Sequence, residues 1–192
     1  MFIKNWRKEI LTIPNLLSLF RLILIPVYVY IYLNAKDSAD YHLAAGILAV
    51  SCLTDMIDGK IARHFNMISS LGKILDPLAD KATQFTLIIC LTVRYPVLWY
   101  LVGLFLAKEL FQLIAGFISI HKRKILKGAL ISGKVCTTIL FVSLIIMVMM
   151  PNLTLSAVQV ITIVDCIFVL IAFIEYAITY FCRDSKFQPL DD

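Results

Sequence analysis

The chain has 192 residues, of which 60% are hydrophobic and 16% charged, with a formal net charge of +5. A mean hydropathy of +0.88 excludes an ordinary soluble globule, and only 7 Gly and 6 Pro, with apolar residues in long runs rather than heptads, exclude disorder, collagen and coiled coil. At about 20 apolar residues per crossing, the length holds at most about six or seven membrane helices, read here as one membrane-embedded domain over residues 1–192.

The opening MFIKNWRKEIL sets Phe2, Ile3, Trp6 and Ile10 against Lys4, Arg7 and Lys8. It reads as a short interfacial helix, retained rather than cleaved, because no small-residue cleavage site follows. Six apolar segments come next, at about residues 13–33, 42–62, 74–94, 97–119, 129–150 and 155–181. Each is predicted to be an α-helix, since hydrocarbon demands that the backbone satisfy its own hydrogen bonds and the alternation of a barrel strand is absent. The fold class is therefore an all-α integral membrane protein, a bundle of six transmembrane helices.

Charge orients the bundle. Lys4, Arg7 and Lys8 precede the first span, Lys60, Arg63 and Lys73 join spans two and three, Lys122, Arg123, Lys124, Lys127 and Lys134 lie between spans four and five or at their edge, and Arg183 and Lys186 follow the sixth. These regions alternate onto one side, and the other side receives Lys36 and Arg94 alone, which puts both termini in the cytoplasm. The five cysteines (Cys52, Cys90, Cys136, Cys166, Cys182) are scattered without CxxC spacing, so neither disulfides nor zinc is expected.

Seven acids, Asp55, Asp58, Asp76, Asp80, Glu109, Asp165 and Glu175, sit within or at the edge of spans. Each costs on the order of 2.5 to 3.5 kcal/mol near the bilayer centre, so they are paired or used. Asp55 and Asp58 are spaced i, i+3 at the cytoplasmic end of span two, and Asp76 and Asp80 i, i+4 at the start of span three, so each pair projects from one helical face. A short connection, residues 59–73, brings the two faces together at one depth. Four converging carboxylates repel one another unless cations neutralise them, and hard oxygen donors suit Mg²⁺ or Mn²⁺, with room for two ions acting on a phosphoryl displacement. Gly59 lets a ligand approach the backbone, Arg63 offers a planar fork for phosphate, Gly72 permits a tight turn or close packing, and Pro77 fits if span three begins within a turn of it. The structural alternative is an ion-pair cluster with Arg63, Lys73 and Lys81.

Asp55-Met-Ile-Asp58-Gly59-Lys-Ile-Ala62-Arg63, eight residues, Gly72, three residues, Asp76, three residues and Asp80 are similar at every fixed position to DxxDGxxARx8GxxxDxxxD, the signature of the CDP-alcohol phosphotransferases. The resemblance covers essentially the whole chain and implies a six-helix membrane enzyme of phospholipid biosynthesis. Such enzymes transfer a substituted phosphate from a CDP-linked donor, usually CDP-diacylglycerol, to an alcohol and release CMP. It further implies that Asp55, Asp58 and Asp76 hold the metal ions, that Asp80 helps hold the second ion and removes the acceptor's proton, and that Asn15, Gly59, Arg63 and Ser69 lie against the donor. A homodimer in the inner membrane, with the active site facing the cytoplasm and no nucleic-acid partner, is expected on the same ground.

Ile13-Pro14-Asn15 through Arg21, Asp76-Pro77-Leu78-Ala79-Asp80-Lys81, Gly133-Lys134 followed by Thr137, and Ile174-Glu175-Tyr176 resemble bacterial phosphatidylglycerophosphate synthases, which implies glycerol-3-phosphate as acceptor, with Lys134, Lys108 and Arg21 the candidates to bind it. Arg21 has a second reading, a structural pairing with an acid of the cluster, Glu109 or Glu175. The fourth span departs from that pattern. It carries Lys108-Glu109 where those synthases carry Arg-Glu, and Gly116 where a later Arg is usual, which loses the bidentate fork. Leu130-Ile-Ser132-Gly133-Lys134 also resembles the related cardiolipin synthases, whose acceptor is phosphatidylglycerol, so the acceptor stays open. A small ion or proton transporter is the reading from another class, but it calls for acids spread along a path rather than gathered at helix ends beside Gly59 and Arg63.

Overall fold

The computed structural model describes residues 13–64, 72–121, 124–126, 130–182 and 187–189. The interfacial helix expected over Phe2–Ile10 lies outside them. Six α-helices are present among the described residues: α1 (Ile13–Asn34), α2 (Ser38–His64), α3 (Gly72–Arg94), α4 (Trp99–His121), α5 (Ile131–Met149) and α6 (Leu155–Cys182), with a 3-10 turn at Pro96–Leu98 leading into α4. Four stretches, Asn15–Asn34, Pro96–Ser119, Ile131–Met149 and Leu155–Phe181, are long and apolar enough to cross a membrane, which marks an integral membrane protein.

Local chemistry sets the ends. Asn34 closes α1 by donating its Nδ2 to the Tyr30 carbonyl at 2.8 Å. Asp40, three residues into α2, reaches back to accept the backbone N–H groups of Lys36 at 2.9 Å and Asp37 at 3.3 Å, the reciprocal half of a capping box. Those donors hold the Asp40 carboxyl below the usual carboxylate range. Thr154 caps α6 by accepting the Ala157 N–H at 3.3 Å. Pro26 and Pro77 lie inside α1 and α3. Helix α3 begins at Gly72, two residues before the expected start, so Pro77 is sixth in the helix rather than within its first turn and cannot donate to the carbonyl of Lys73.

Two compact units form. The first takes the chain up to Cys90 together with Val148–Pro151, the second Leu91–Met147 and the residues from Asn152 onward. In the first, α1 packs along α2 where Ala44, Ala45 and Leu48 are buried; small side chains there let the helix backbones approach, as membrane helices require. Helix α3 joins them, so that Tyr28 of α1, Leu48 and Ser51 of α2, and Thr83 and Thr86 of α3 line one small cleft.

In the second unit, α4 packs on α6 through Phe111, whose ring meets Phe173 edge-on at 5.2 Å and Tyr180 at 6.2 Å. Helices α5 and α6 are tied by Ser143 Oγ, which donates to Asp165 Oδ2 at 2.6 Å. Outward residues of α4 such as Leu110, Leu113, Ile114 and Phe117 are exposed, the pattern expected where lipid is the solvent. One feature departs from the all-helical expectation: β1 (Lys124–Leu126) and β2 (Phe187–Pro189) pair antiparallel, Lys124 opposite Pro189 and Leu126 opposite Phe187. Three-residue strands fall below what a hydropathy pattern resolves, and Pro189 sits where a ladder tolerates it, on a terminal pair.

Candidate active site

The first unit carries the acid signature on two consecutive helices. Helix α2 runs two residues beyond its expected end, to His64, so Asp55, Asp58, Gly59 and Arg63 all stand on one continuous helix. Asp76 and Asp80 stand on α3. Residues 65–71 connect the two helices, a shorter join than 59–73. Ser69 lies outside the described residues, as do the side chains of Asp55, Asp58, Arg63 and Asp76.

The side chain of Asp80 is described, and its surroundings are specific. Arg21 of α1 donates from Nη1 to Asp80 Oδ1, joining residues 59 positions apart in an ion pair in which Arg21 is 2% and Asp80 45% exposed. Of the two sequence readings of Arg21, this is the pairing with an acid of the cluster. Asn15 and Ser18 are also buried on α1. With Arg21 they follow at three-residue steps, so one side of α1 carries a polar stripe. Thr83 Oγ1, one turn past Asp80, donates to the Ala79 carbonyl at 2.8 Å.

Two further candidates belong to the second unit. Lys108 on α4 is 3% exposed; its Nζ donates to Glu109 Oε1 at 2.6 Å and lies 5.7 Å from the Phe105 ring centroid, a cation–π distance. Lys134 is exposed in the first turn of α5, where Thr137 and Thr138 donate hydroxyls to its carbonyl at 2.9 Å each.

Sequence reasoning left Asp165 without a named partner and passed over Ser143 and Tyr176 as interacting groups. A serine and an aspartate on facing membrane helices were the available signal for the first contact, because a hydroxyl is among the few donors an intramembrane carboxylate can find. Carboxylates are the hard oxygen donors a divalent cation takes, and Asp55, Asp58, Asp76 and Asp80 are the residues that could supply them. Among the described residues, which include the side chain of Asp80 alone of the four, no group of three or more potential ligands is gathered.

Residues 11–177 match the family described as CDP-alcohol phosphatidyltransferase. Among curated proteins, the chain is 47% identical over 90 residues, 46% of this chain and 14% of the other, to a cardiolipin synthase (CMP-forming) / mitochondrial hydrolase fusion protein of Schizosaccharomyces pombe. It is 37% identical over 108 residues, 55% of this chain and 50% of the other, to a cardiolipin synthase (CMP-forming) of Streptomyces coelicolor. To a probable phosphatidylglycerophosphate synthase of Mycobacterium tuberculosis it is 34% identical over 106 residues, 54% of this chain and 51% of the other. The aligned stretches thus span about half, or less, of the length of these relatives.

Proposed function

Because the chain belongs to the CDP-alcohol phosphatidyltransferase family, we propose that it transfers the phosphatidyl group of CDP-diacylglycerol to a hydroxyl of a glycerol-phosphate acceptor and releases CMP. The observation that carries this reading is the nucleotide-alcohol signature lying on consecutive helices α2 and α3, with its last acid tied to buried Arg21.

The chemistry follows from the chain's own groups. The acceptor oxygen forms a bond to the donor's β-phosphorus as the bond from that phosphorus to CMP breaks, and Asp80 takes the proton of the acceptor hydroxyl. Arg21 fixes one oxygen of that carboxylate, which restricts its rotation and orients it for proton transfer. Arg63 sets a bidentate donor against the diphosphate, Gly59 admits the donor close to the α2 backbone, and Asn15 completes the donor contacts. Asp55, Asp58, Asp76 and Asp80 would hold one or two Mg²⁺ or Mn²⁺ ions, which when bound neutralise the diphosphate and the leaving CMP. In this reading all six helices cross the inner membrane with both termini cytoplasmic. The acyl chains of the donor stay in lipid while its cytidine reaches water.

Glycerol-3-phosphate is the leading acceptor, with Lys134 on its phosphate. Phosphatidylglycerol is the second reading. It is favoured by Lys108, whose charge is buried and already engaged with Glu109, a poor arrangement for a free phosphomonoester. Purified protein given labelled CDP-diacylglycerol should release CMP only with both a divalent ion and an acceptor, and Asp80→Asn should abolish release while the protein still elutes as a folded species. Turnover persisting in Asp80→Asn removes Asp80 from the base role. Chromatography of products from parallel reactions with glycerol-3-phosphate and phosphatidylglycerol separates the two acceptors.

A further inference from the structure

The start of α5 is built against α6 in a way the catalytic reading does not use. Gly133 is buried, and a Cβ added there would stand 2.7 Å from Tyr176 Oη, 3.1 Å from Cε2 and 3.3 Å from Cζ. All three distances are shorter than ordinary van der Waals contact, so the Tyr176 ring occupies the volume that any other residue at 133 would need. The neighbouring backbone is fixed as well. Thr137 Oγ1 donates to the Gly133 carbonyl at 3.0 Å and the Lys134 carbonyl at 2.9 Å, and Thr138 Oγ1 donates to the Lys134 carbonyl at 2.9 Å. The residue placed between wedge and hydroxyls is Lys134.

A second tie along the same two helices gives the wedge its leverage. Ser143 and Asp165 join α5 to α6 through a 2.6 Å hydrogen bond. Positions 133 and 143 on α5 are about 15 Å apart, and 165 and 176 on α6 about 16 Å, at about 1.5 Å per residue. The antiparallel pair is thus pinned at matching heights, and the first turn of α5 has little freedom to slide away from Tyr176.

We propose that Tyr176, seated in the gap left by Gly133, is a positioning residue that sets the first turn of α5 and so the approach of Lys134 to the anionic group of the acceptor. This rests on the reading of Lys134 as the acceptor's cation. Misplacing a binding group by a fraction of an ångström to 1 Å costs on the order of tenfold to a hundredfold, and the effect falls on the acceptor alone.

The test uses the full-length protein in phosphatidylglycerol-free micelles, with glycerol-3-phosphate and, in a second series, phosphatidylglycerol added as acceptor. Gly133→Ala should raise the acceptor KM about tenfold with the CDP-diacylglycerol KM and kcat within about twofold. Adding Tyr176→Phe, which deletes the atom at 2.7 Å and leaves the milder contacts at 3.1 and 3.3 Å, should bring the acceptor KM at least part of the way back toward wild type. Should Gly133→Ala fail to fold, Tyr176→Trp overfills the same contact from the α6 side and should raise the same KM.

Lys134→Met separates the two levels. If it leaves the acceptor KM unchanged, the reading of Lys134 falls and this proposal with it. If it raises that KM but Gly133→Ala and Tyr176→Trp do not, or if Tyr176→Phe fails to rescue Gly133→Ala, Lys134 keeps its role and the wedge is overturned alone.

Discussion

The Arg21–Asp80 pair makes an asymmetric demand on stability. Arg21 is 2% exposed whereas the Asp80 side chain is 45% exposed, so the partners differ in what each suffers when the other goes. Asp80→Asn removes a counter-charge from a guanidinium held out of water, a loss of about 3 to 5 kcal/mol for a buried pair. Arg21→Met keeps the bulk of the stem and leaves a carboxylate that water already reaches, a loss of about 1 to 2 kcal/mol. At about 2 to 4 °C per kcal/mol for a chain of this size, the melting midpoint should fall by roughly 6 to 20 °C in Asp80→Asn and by about 2 to 8 °C in Arg21→Met. Melting is followed by tryptophan fluorescence in micelles containing chelator, so that bound ions do not contribute. The double variant should be milder than the sum by more than about 0.5 kcal/mol, the limit of additivity for independent sites. Equal losses in the two single variants, or additivity in the double, would refute an ion pair with one buried end.

Three further outcomes follow from the same geometry. Lys108→Met should lower the midpoint more than Lys108→Met combined with Glu109→Leu, because the single variant takes the adjacent cation away from a buried carboxylate. Ser143→Ala should cost only about 0.6 kcal/mol, and at most about 1.7, the range for interhelical hydrogen bonds in membranes, whereas Asp165→Leu, which also removes a polar atom lacking a partner, should be nearly neutral in a reversible unfolding assay. The Asp40 carboxyl is held below its ordinary value of 3.8 by two backbone donors; a depressed folded value means the cap is fully present above that pH and is lost as pH falls through the lower folded value. Amide protection at Lys36 and Asp37 should therefore decline below pH 3.8 in the wild type and be low at every pH in Asp40→Ala.

The helices were legible because hydropathy and the backbone's need for internal hydrogen bonds act locally. The segment expected at about 13–33 is Ile13–Asn34, and that at about 155–181 is Leu155–Cys182. Ends were less so where polar chemistry extends a helix past its apolar run: Asp40 caps α2 four residues before the expected start at 42, since Ser38 to Tyr41 carry little hydropathy but satisfy the first turn. Of the candidate site, residue types and spacing were readable, because i, i+3 and i, i+4 place side chains without knowledge of the fold. Partners were not. Asp80 was one acid among several for Arg21, and choosing it needs the register of α1 against α3, which no local period encodes. Lys108 and Glu109 were harder still, since adjacent helical residues do not ordinarily face one another and only the flexible lysine stem lets Nζ turn back to Oε1.

Burial then sorts the intramembrane acids whose contacts are described. Asp165 is 1% exposed with a serine on the facing helix as donor, and Glu109 is 8% exposed with a lysine beside it. For each, the partner offsets the cost of a carboxylate in hydrocarbon, and neither offers much surface to a substrate. Asp80 differs in kind: it has a buried cation on one oxygen and nearly half its side chain open. A purely structural acid gains nothing from that exposure, whereas a group that must meet an acceptor hydroxyl requires it, along with a fixed orientation before the hydroxyl arrives. The pairing of a dry arginine with a wet carboxylate supplies both, which is compatible with the proton-transfer role that the family resemblance implies for Asp80 and that the better-buried acids of α4 and α6 are less suited to.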